Sequence, residues 1–244
     1  MNYKEIIEKY TQLHGNKPMQ LRAVLFDMDG VLFDSMPYHA TAWSQVMTEA
    51  GYTFSKEDVY MNEGRTGADT INTASLAQFG KLATQEQIDA LCKAKCDLFD
   101  TYPPTQRMQG ALELVQRVKE CGLTPMIVTG SGTPTLLDRI QSNFPGLFDA
   151  NHIISSFNVK RGKPYPDPYL LALERGGFKA DEAIVVENAP LGVTAGVAAG
   201  MFTIAANTGP LKDEVLSNAG ASLVFPSMQA LCDEWEKLYE AFNA

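Results

Sequence analysis

An apolar run that stops abruptly on two carboxylates constrains this chain more than any other feature. Arg22-Ala23-Val24-Leu25-Phe26 leads directly into Asp27-Met28-Asp29-Gly30. A short, unbroken apolar run bounded by a turn signal reads as a strand buried on both faces, the kind found in parallel sheets. Further runs of this type are Thr124–Val128, His152–Ile154, Ala183–Val186, Phe202–Ala205 and Ser222–Phe225. Helix-period segments lie between most of them, at Ala111–Cys121, Pro134–Asn143, Asp167–Arg175 and Leu191–Ala199. Another, Tyr3–His14, opens the chain and ends at a Gly-Asn-Lys-Pro break. Strands alternating with helices predict an α/β fold, a parallel sheet covered on both faces.

Between about Pro37 and Arg107 the alternation fails. Helical patterns at Tyr38–Ala50, Lys56–Met61, Ala68–Phe79 and Gln85–Asp100 follow one another with no convincing strand between them. This reads as an inserted α-helical cap domain over 36–106, with 1–35 and 107–244 forming the core. Pro37 and Pro103-Pro104 mark its ends, so hinges are expected at Phe33–Pro37 and Pro103–Met108.

Composition excludes several classes. The 244 residues carry a formal net charge of −9, the opposite of the Lys/Arg field that nucleic-acid binding needs. No apolar run approaches the roughly 18 residues of a membrane span. The opening stretch holds Lys4, Glu5, Glu8 and Lys9 and lacks the apolar core of an export signal. The expectation is a soluble, cytoplasmic monomer with no nucleic-acid or membrane partner. Cys92, Cys96, Cys121 and Cys232 fit reduced structural thiols, since no second Cys/His pair has zinc-ligand spacing.

Open α/β sheets bind ligands beyond the carboxyl ends of their strands, where the chemistry-bearing residues of this chain collect. Asp27 and Asp29, two apart, can face one substrate, and Gly30 lets the chain turn away. Thr129-Gly130-Ser131-Gly132 follows the second run and offers hydroxyls and amides to a phosphoryl oxygen. Arg161-Gly162-Lys163-Pro164 follows the third and supplies a cation, its position stiffened by Pro164. Glu187-Asn188 closes the fourth, an acid and an amide placed to hold a cation. A carboxylate that attacks phosphorus forms an acyl phosphate. Oxygen-only ligands beside phosphate favour magnesium. A second aspartate can give and take the proton.

In this order, and with the helical insert, the segments resemble the haloacid dehalogenase superfamily in its phosphatase and β-phosphoglucomutase-like branch, from Leu21 to the end. The resemblance implies a Rossmann-like core, Mg2+ as cofactor and a small phosphorylated substrate. It makes Asp27 the nucleophile and Asp29 the general acid/base, with Thr129 and Lys163 holding the phosphoryl group beside Gly130 and Ser131. The metal site would comprise Asp27, the backbone carbonyl of Asp29, Glu187 and Asn188. Asp29 argues against dehalogenation, because the dehalogenases of the superfamily lack it.

The chain departs from the pattern twice. The fourth motif, usually a pair of acids, reads Glu187-Asn188, and Glu63 of the cap is the candidate to restore the lost charge. The sugar-phosphate mutases of the branch carry a phosphate-gripping arginine three residues after the loop glycine, but counting from Gly64 gives Gly67, with Arg65 elsewhere in the loop. Asn62-Glu63-Gly64-Arg65-Thr66 is similar to the loop of a Bacteroides-type pyrophosphatase of the branch. His39 stands where the mutases have a histidine at the start of the cap, either meeting substrate or packing beside Trp43. Gly192, Gly196 and Gly200 read as close helix packing. Hydrolysis of pyrophosphate is therefore expected ahead of β-phosphoglucomutase activity. A dinucleotide site is disfavoured because Gly130-Ser131-Gly132 reaches Thr135 where a third glycine belongs. A bare phosphoacceptor module leaves Asp29 and the cap unexplained.

Overall fold

The computed structural model describes residues 2–15, 18–132 and 135–243; the sequence readings at Asn16, Lys17 and Pro134 lie outside them. Its centre is one parallel sheet of six strands: β1 (Ala23–Phe26), β2 (Thr124–Val128), β3 (Ile153–Ile154), β4 (Ala183–Glu187), β5 (Phe202–Ala206) and β6 (Leu223–Phe225), in the order β3-β2-β1-β4-β5-β6. The chain builds outward from β1 on one side, then returns to β4 and builds outward on the other. β1, β2 and β4 are therefore neighbours, and Phe26 pairs with both Ile127 and Val186. That register brings the residues after these strands to one level at the carboxyl edge.

Each side-chain set of β1 has its own cover. Val24 and Phe26 pack with the buried faces of α1 (Tyr3–Leu13), α6 (Ala111–Glu120), α7 (Leu136–Asn143) and α11 (Met228–Phe242). Ala23 and Leu25 pack with α8 (Asp167–Gly176) and α9 (Pro190–Ala198). A short helix, α10 (Asp213–Asn218), lies near β6. Cover on both faces explains why the strands read as unbroken apolar runs rather than alternating ones. The expected strand start at His152 falls instead in a single 3-10 turn, Ala150–His152, capped by the Asp149 carboxylate accepting from the Asn151 amide.

The insert is helical, as α2 (Met36–Glu49), α3 (Lys56–Met61), α4 (Gly67–Phe79) and α5 (Gln85–Phe99). These share a core of their own around Met47, Val59, Ile71 and Ile88. The two linkers run side by side: Asp34 N donates to Gln106 O at 3.0 Å and Met108 N to Leu32 O at 2.9 Å. No helix among the described residues is long and apolar enough to cross a membrane.

The opening helix belongs to the main core, with Tyr3 and Ile7 buried and Tyr10 Oη donating to Gly200 O at 3.0 Å. Truncating Ile7 to alanine should cost about 2 kcal/mol or more, lowering the melting temperature by about 4–8 °C in calorimetry. Leu13→Ala, on the exposed side of the same helix, should stay within about 0.5 kcal/mol of the parent.

Candidate active site

The residues that follow β1 and β2, with Ser156 after β3, line one cavity of about 280 Å³, roofed by the helical insert. Asp27, Asp29, Thr129, Gly130 and Ser131 form its floor, while His39, Glu63, Arg65, Trp43, Cys92 and Lys95 come from the insert. The insert sits close: a Cβ on Gly130 would lie 2.8 Å from Gly64 O, and one on Gly64 would lie 2.9 Å from Cδ of Lys163. Glycine is needed at these positions because the loops touch through their backbones.

Lys163 lies under the floor, only 1% exposed. Its ammonium donates to Asp27 Oδ1, to Glu187 Oε1 at 2.6 Å and to Val128 O at 3.0 Å. Burial works against its charge, but Asp27 and Glu187 outweigh it and hold the ammonium protonated. Burial pushes the Asp27 carboxyl up to about 8 despite the opposing pull of Lys163, with Glu187 and Asp29 adding to the rise. One ammonium shared by two buried carboxylates leaves a negative charge unmatched, which favours a further cation.

Glu187, expected to help hold the metal, is engaged by several donors. Its Oε1 also accepts from Tyr169 Oη at 2.8 Å, and Oε2 accepts from the Asn188 amide at 3.0 Å. With both oxygens engaged, it sits behind Lys163 and outside the cavity lining. Gly192 has no room for a side chain, because a Cβ there would fall on the Glu187 carboxylate. The glycine series accordingly divides: Gly192 accommodates Glu187, Gly196 fits against Thr203 and Val185, and Gly200 turns the chain at φ +76.

Asn188 faces the other way. Its Nδ2 donates to Glu63 Oε1 at 2.9 Å, while Oδ1 is buried with no hydrogen-bond partner. Burial, then the neighbouring Asp27, pushes the Glu63 carboxyl well above its ordinary range. An orphaned amide oxygen beside two carboxyls that resist ionisation fits an oxygen-ligated divalent cation. Among the described residues no three His, Cys, Asp or Glu side chains make a metal cluster by themselves. The fitting donors are mixed: carboxylates, an amide oxygen and a backbone carbonyl.

Asp29 has a separate set of partners. Ser35 Oγ donates to its Oδ1 at 2.6 Å, and His39 Nε2 and Arg139 Nη1 lie 3.4 and 3.6 Å away. Burial opposes its ionisation, but His39, Arg139 and Ser35 prevail and hold the carboxyl well below its usual range. His39 stacks on Phe99 at 4.3 Å and pairs through Nδ1 with Lys95 Nζ at 2.9 Å. Burial and the Lys95 charge keep its pKa low. Thr129 Oγ1 accepts from the Ser131 amide at 3.0 Å, which fixes the turn above β2. Arg65 is steadied by Asn62, accepting from Nε at 3.0 Å. Sequence reasoning missed Tyr169, Ser35, Arg139 and Lys95. Only Lys95 left a trace, three residues after Cys92 on α5.

This packing can be tested directly. Gly192→Ala should cost about 1–3 kcal/mol through overpacking against Glu187. Tyr169→Phe, which removes a donor from a buried carboxylate, should cost a similar amount. Urea melts read both, and a parent-like midpoint for each would contradict the placement of Glu187.

Hexitol phosphatase A of Escherichia coli (strain K12) is 31% identical over 189 residues, covering 78% of this chain and 84% of the relative. The β-phosphoglucomutase of Bacillus subtilis (strain 168) is 25% identical over 232 residues, covering 89% and 96%. A solved structure from Bacteroides vulgatus, provisionally named a β-phosphoglucomutase, superposes with a TM-score of 0.96 at 55% identity, covering 99% of this chain and 98% of that one. The haloacid dehalogenase-like hydrolase family matches residues 21–200, and the chain belongs to that family.

Proposed function

We propose that the protein is a Mg2+-dependent phosphohydrolase that works through an aspartyl phosphate on Asp27, with inorganic pyrophosphate as its substrate. The observation that carries the chemistry is the shared cavity of Asp27 and Asp29, with Lys163 bonded to Asp27 from below. Asp27 attacks phosphorus, and Thr129, Ser131 and the Gly130 amide hold the phosphoryl oxygens. Asp29 must take up a proton as substrate binds, against the pull of His39, Arg139 and Ser35; it then protonates the departing oxygen and recovers a proton from the water that cleaves the acyl phosphate. Asp27, the Asp29 carbonyl, Asn188 Oδ1 and Glu63 would hold the cation. When bound, it offsets the repulsion between nucleophile and phosphoryl oxygens. Glu187 keeps Lys163 charged and in place, and segment 36–106 acts as the cap that excludes water.

The choice of pyrophosphate rests on the cap loop, since none of the relatives above is named for it. Glu63 reaches the core motif directly through Asn188. The position that carries an arginine in the mutases is closed: a Cβ on Gly67 would lie 2.7 Å from Cys92 Sγ. Arg65 and Lys95 line the cavity and can meet a second anionic group. The second reading, β-phosphoglucomutase, is favoured by the names of two relatives, and would pass the aspartyl phosphate to a sugar instead of water.

A phosphate-release panel with pyrophosphate, sugar phosphates and p-nitrophenyl phosphate, run beside a coupled mutase assay, separates the readings. Pyrophosphate should be turned over fastest, and a chelator should abolish release until Mg2+ is returned. Asp27→Asn should be inactive; persistent turnover would overturn the phosphoenzyme. Glucose 1-phosphate isomerisation with negligible phosphate release would replace hydrolase by mutase.

Glu63→Ala should weaken Mg2+ binding, measured by titration, and slow pyrophosphate turnover. Unchanged values for both would remove Glu63 from the site.

A further inference from the structure

Arg139 lies outside the cavity lining, yet it touches three parts of the molecule whose mutual arrangement matters. Its Nη1 is 3.6 Å from Asp29 Oδ1. Its Nη2 donates to Thr105 Oγ1 at 2.6 Å, on the second linker to the helical insert. Its guanidinium carbon stands 3.8 Å from the centre of the Phe33 ring, on the first linker. The same helix, α7, meets the second linker again, where Arg107 Nη1 donates to Asn143 O at 2.9 Å. Ser35, the other donor to Asp29 from a linker, bonds the same Oδ1 at 2.6 Å.

We propose that Arg139 is a positioning residue that ties the aim of the Asp29 carboxyl to the set of the two linkers. This rests on Asp29 being the general acid/base. A guanidinium is planar and presents five donors in a rigid fork, so one side chain can pair by charge with Asp29 and donate to Thr105 while its face lies on Phe33. The core side of the contact is fixed by α7, whose Leu136 and Ile140 are buried in the main core. A shift of either linker must then break a guanidinium contact or turn the fork, and Asp29 turns with it. The paired linkers, held by Asp34 N to Gln106 O and Met108 N to Leu32 O, move as one ribbon. Through Arg139, the seating of the cap therefore determines where the acid points.

The experiment compares phenyl phosphate with p-nitrophenyl phosphate, esters of similar shape whose leaving oxygens differ in basicity. Help from a general acid matters more for the basic phenolate. Arg139→Gln should lose about tenfold more kcat/KM on phenyl phosphate than on p-nitrophenyl phosphate. Arg139→Lys, a cation without the fork, should recover part of that difference. Thr105→Val, which leaves Asp29 and Arg139 in place, should shift the ratio in the same direction by about twofold to fivefold. Equal losses on both esters in Arg139→Gln, or no loss, would overturn the proposal, and an unchanged ratio in Thr105→Val would overturn its link to the hinge. Melting curves identify a variant that fails to fold, in which case Arg139→Lys carries the comparison and an equal loss on both esters there overturns the proposal. Asp29→Asn is the control. If it does not itself sharpen the leaving-group dependence, the acid/base reading of Asp29 fails, an outcome distinct from the failure of Arg139.

Discussion

A lysine ammonium buried between two carboxylates organises the catalytic edge of this sheet. An unpaired charge at 1% exposure is costly enough that its partners must be supplied and kept in position. Lys163 receives Asp27, Glu187 and the Val128 carbonyl, which brings together residues that follow or end β1, β4 and β2. Glu187 in turn needs donors on its remaining lone pairs, and Tyr169 and the Asn188 amide provide them. Burial, then Glu187, holds the Tyr169 phenol well above its ordinary pKa, so it remains a neutral donor. Gly192 leaves the space into which the carboxylate fits. The network is satisfied around Lys163 and Glu187 and unsatisfied at Asn188, whose Oδ1 is buried with no partner. That asymmetry distinguishes a functional edge from a structural ion pair.

The cap meets this edge largely through backbone. Gly64 rides on the stem of Lys163 and against Gly130, and a Cβ on Gly162 would lie 3.1 Å from Thr66 Cγ2. Thr208 Oγ1 donates to Gly30 O at 2.7 Å, which fixes the turn that presents Asp29. The insert also has a core of its own. Under the proposed function, such an element would separate to admit substrate and return to exclude water.

Much of the fold was legible because the sheet is covered on both faces. Strands such as Ala23–Phe26 and Ala183–Glu187 have no solvent side, and their apolar runs, Ala23–Phe26 and Ala183–Val186, stand out. The end of β3 blurred because a two-residue strand is shorter than any pattern, and a local Asp149 cap took His152 out of it. At the site, the residue types after each strand were readable and their company was not. The expectation for Glu187 follows from its position after a strand; its partners Tyr169 and Lys163, and the space left by Gly192, come from long-range packing that no local pattern carries. Arg139 left no trace for the same reason. It sits in an ordinary amphipathic helix, and its role arises only once Phe33 and Thr105 are brought to it by the fold.

The exchange of an acid for Asn188 has a thermodynamic consequence. In a core whose fourth motif ended in two acids, the charge facing a cation would belong wholly to the sheet edge, whatever the cap did. Here the compensating carboxylate, Glu63, belongs to the cap and reaches the edge only while Asn188 Nδ2 bonds it. Under the proposed function, the affinity of the site for its cation then depends on where the cap sits. Linkage makes that dependence reciprocal: a cation that binds the docked arrangement more tightly must stabilise docking by the same factor. On that reading, a cation at this edge would offset the burial and the Asp27 charge that push the Glu63 carboxyl up. A filled site would then favour the docked cap. Exchanging one acid for an amide would, on the same reading, place part of the metal site on the cap and tie its seating to the cation.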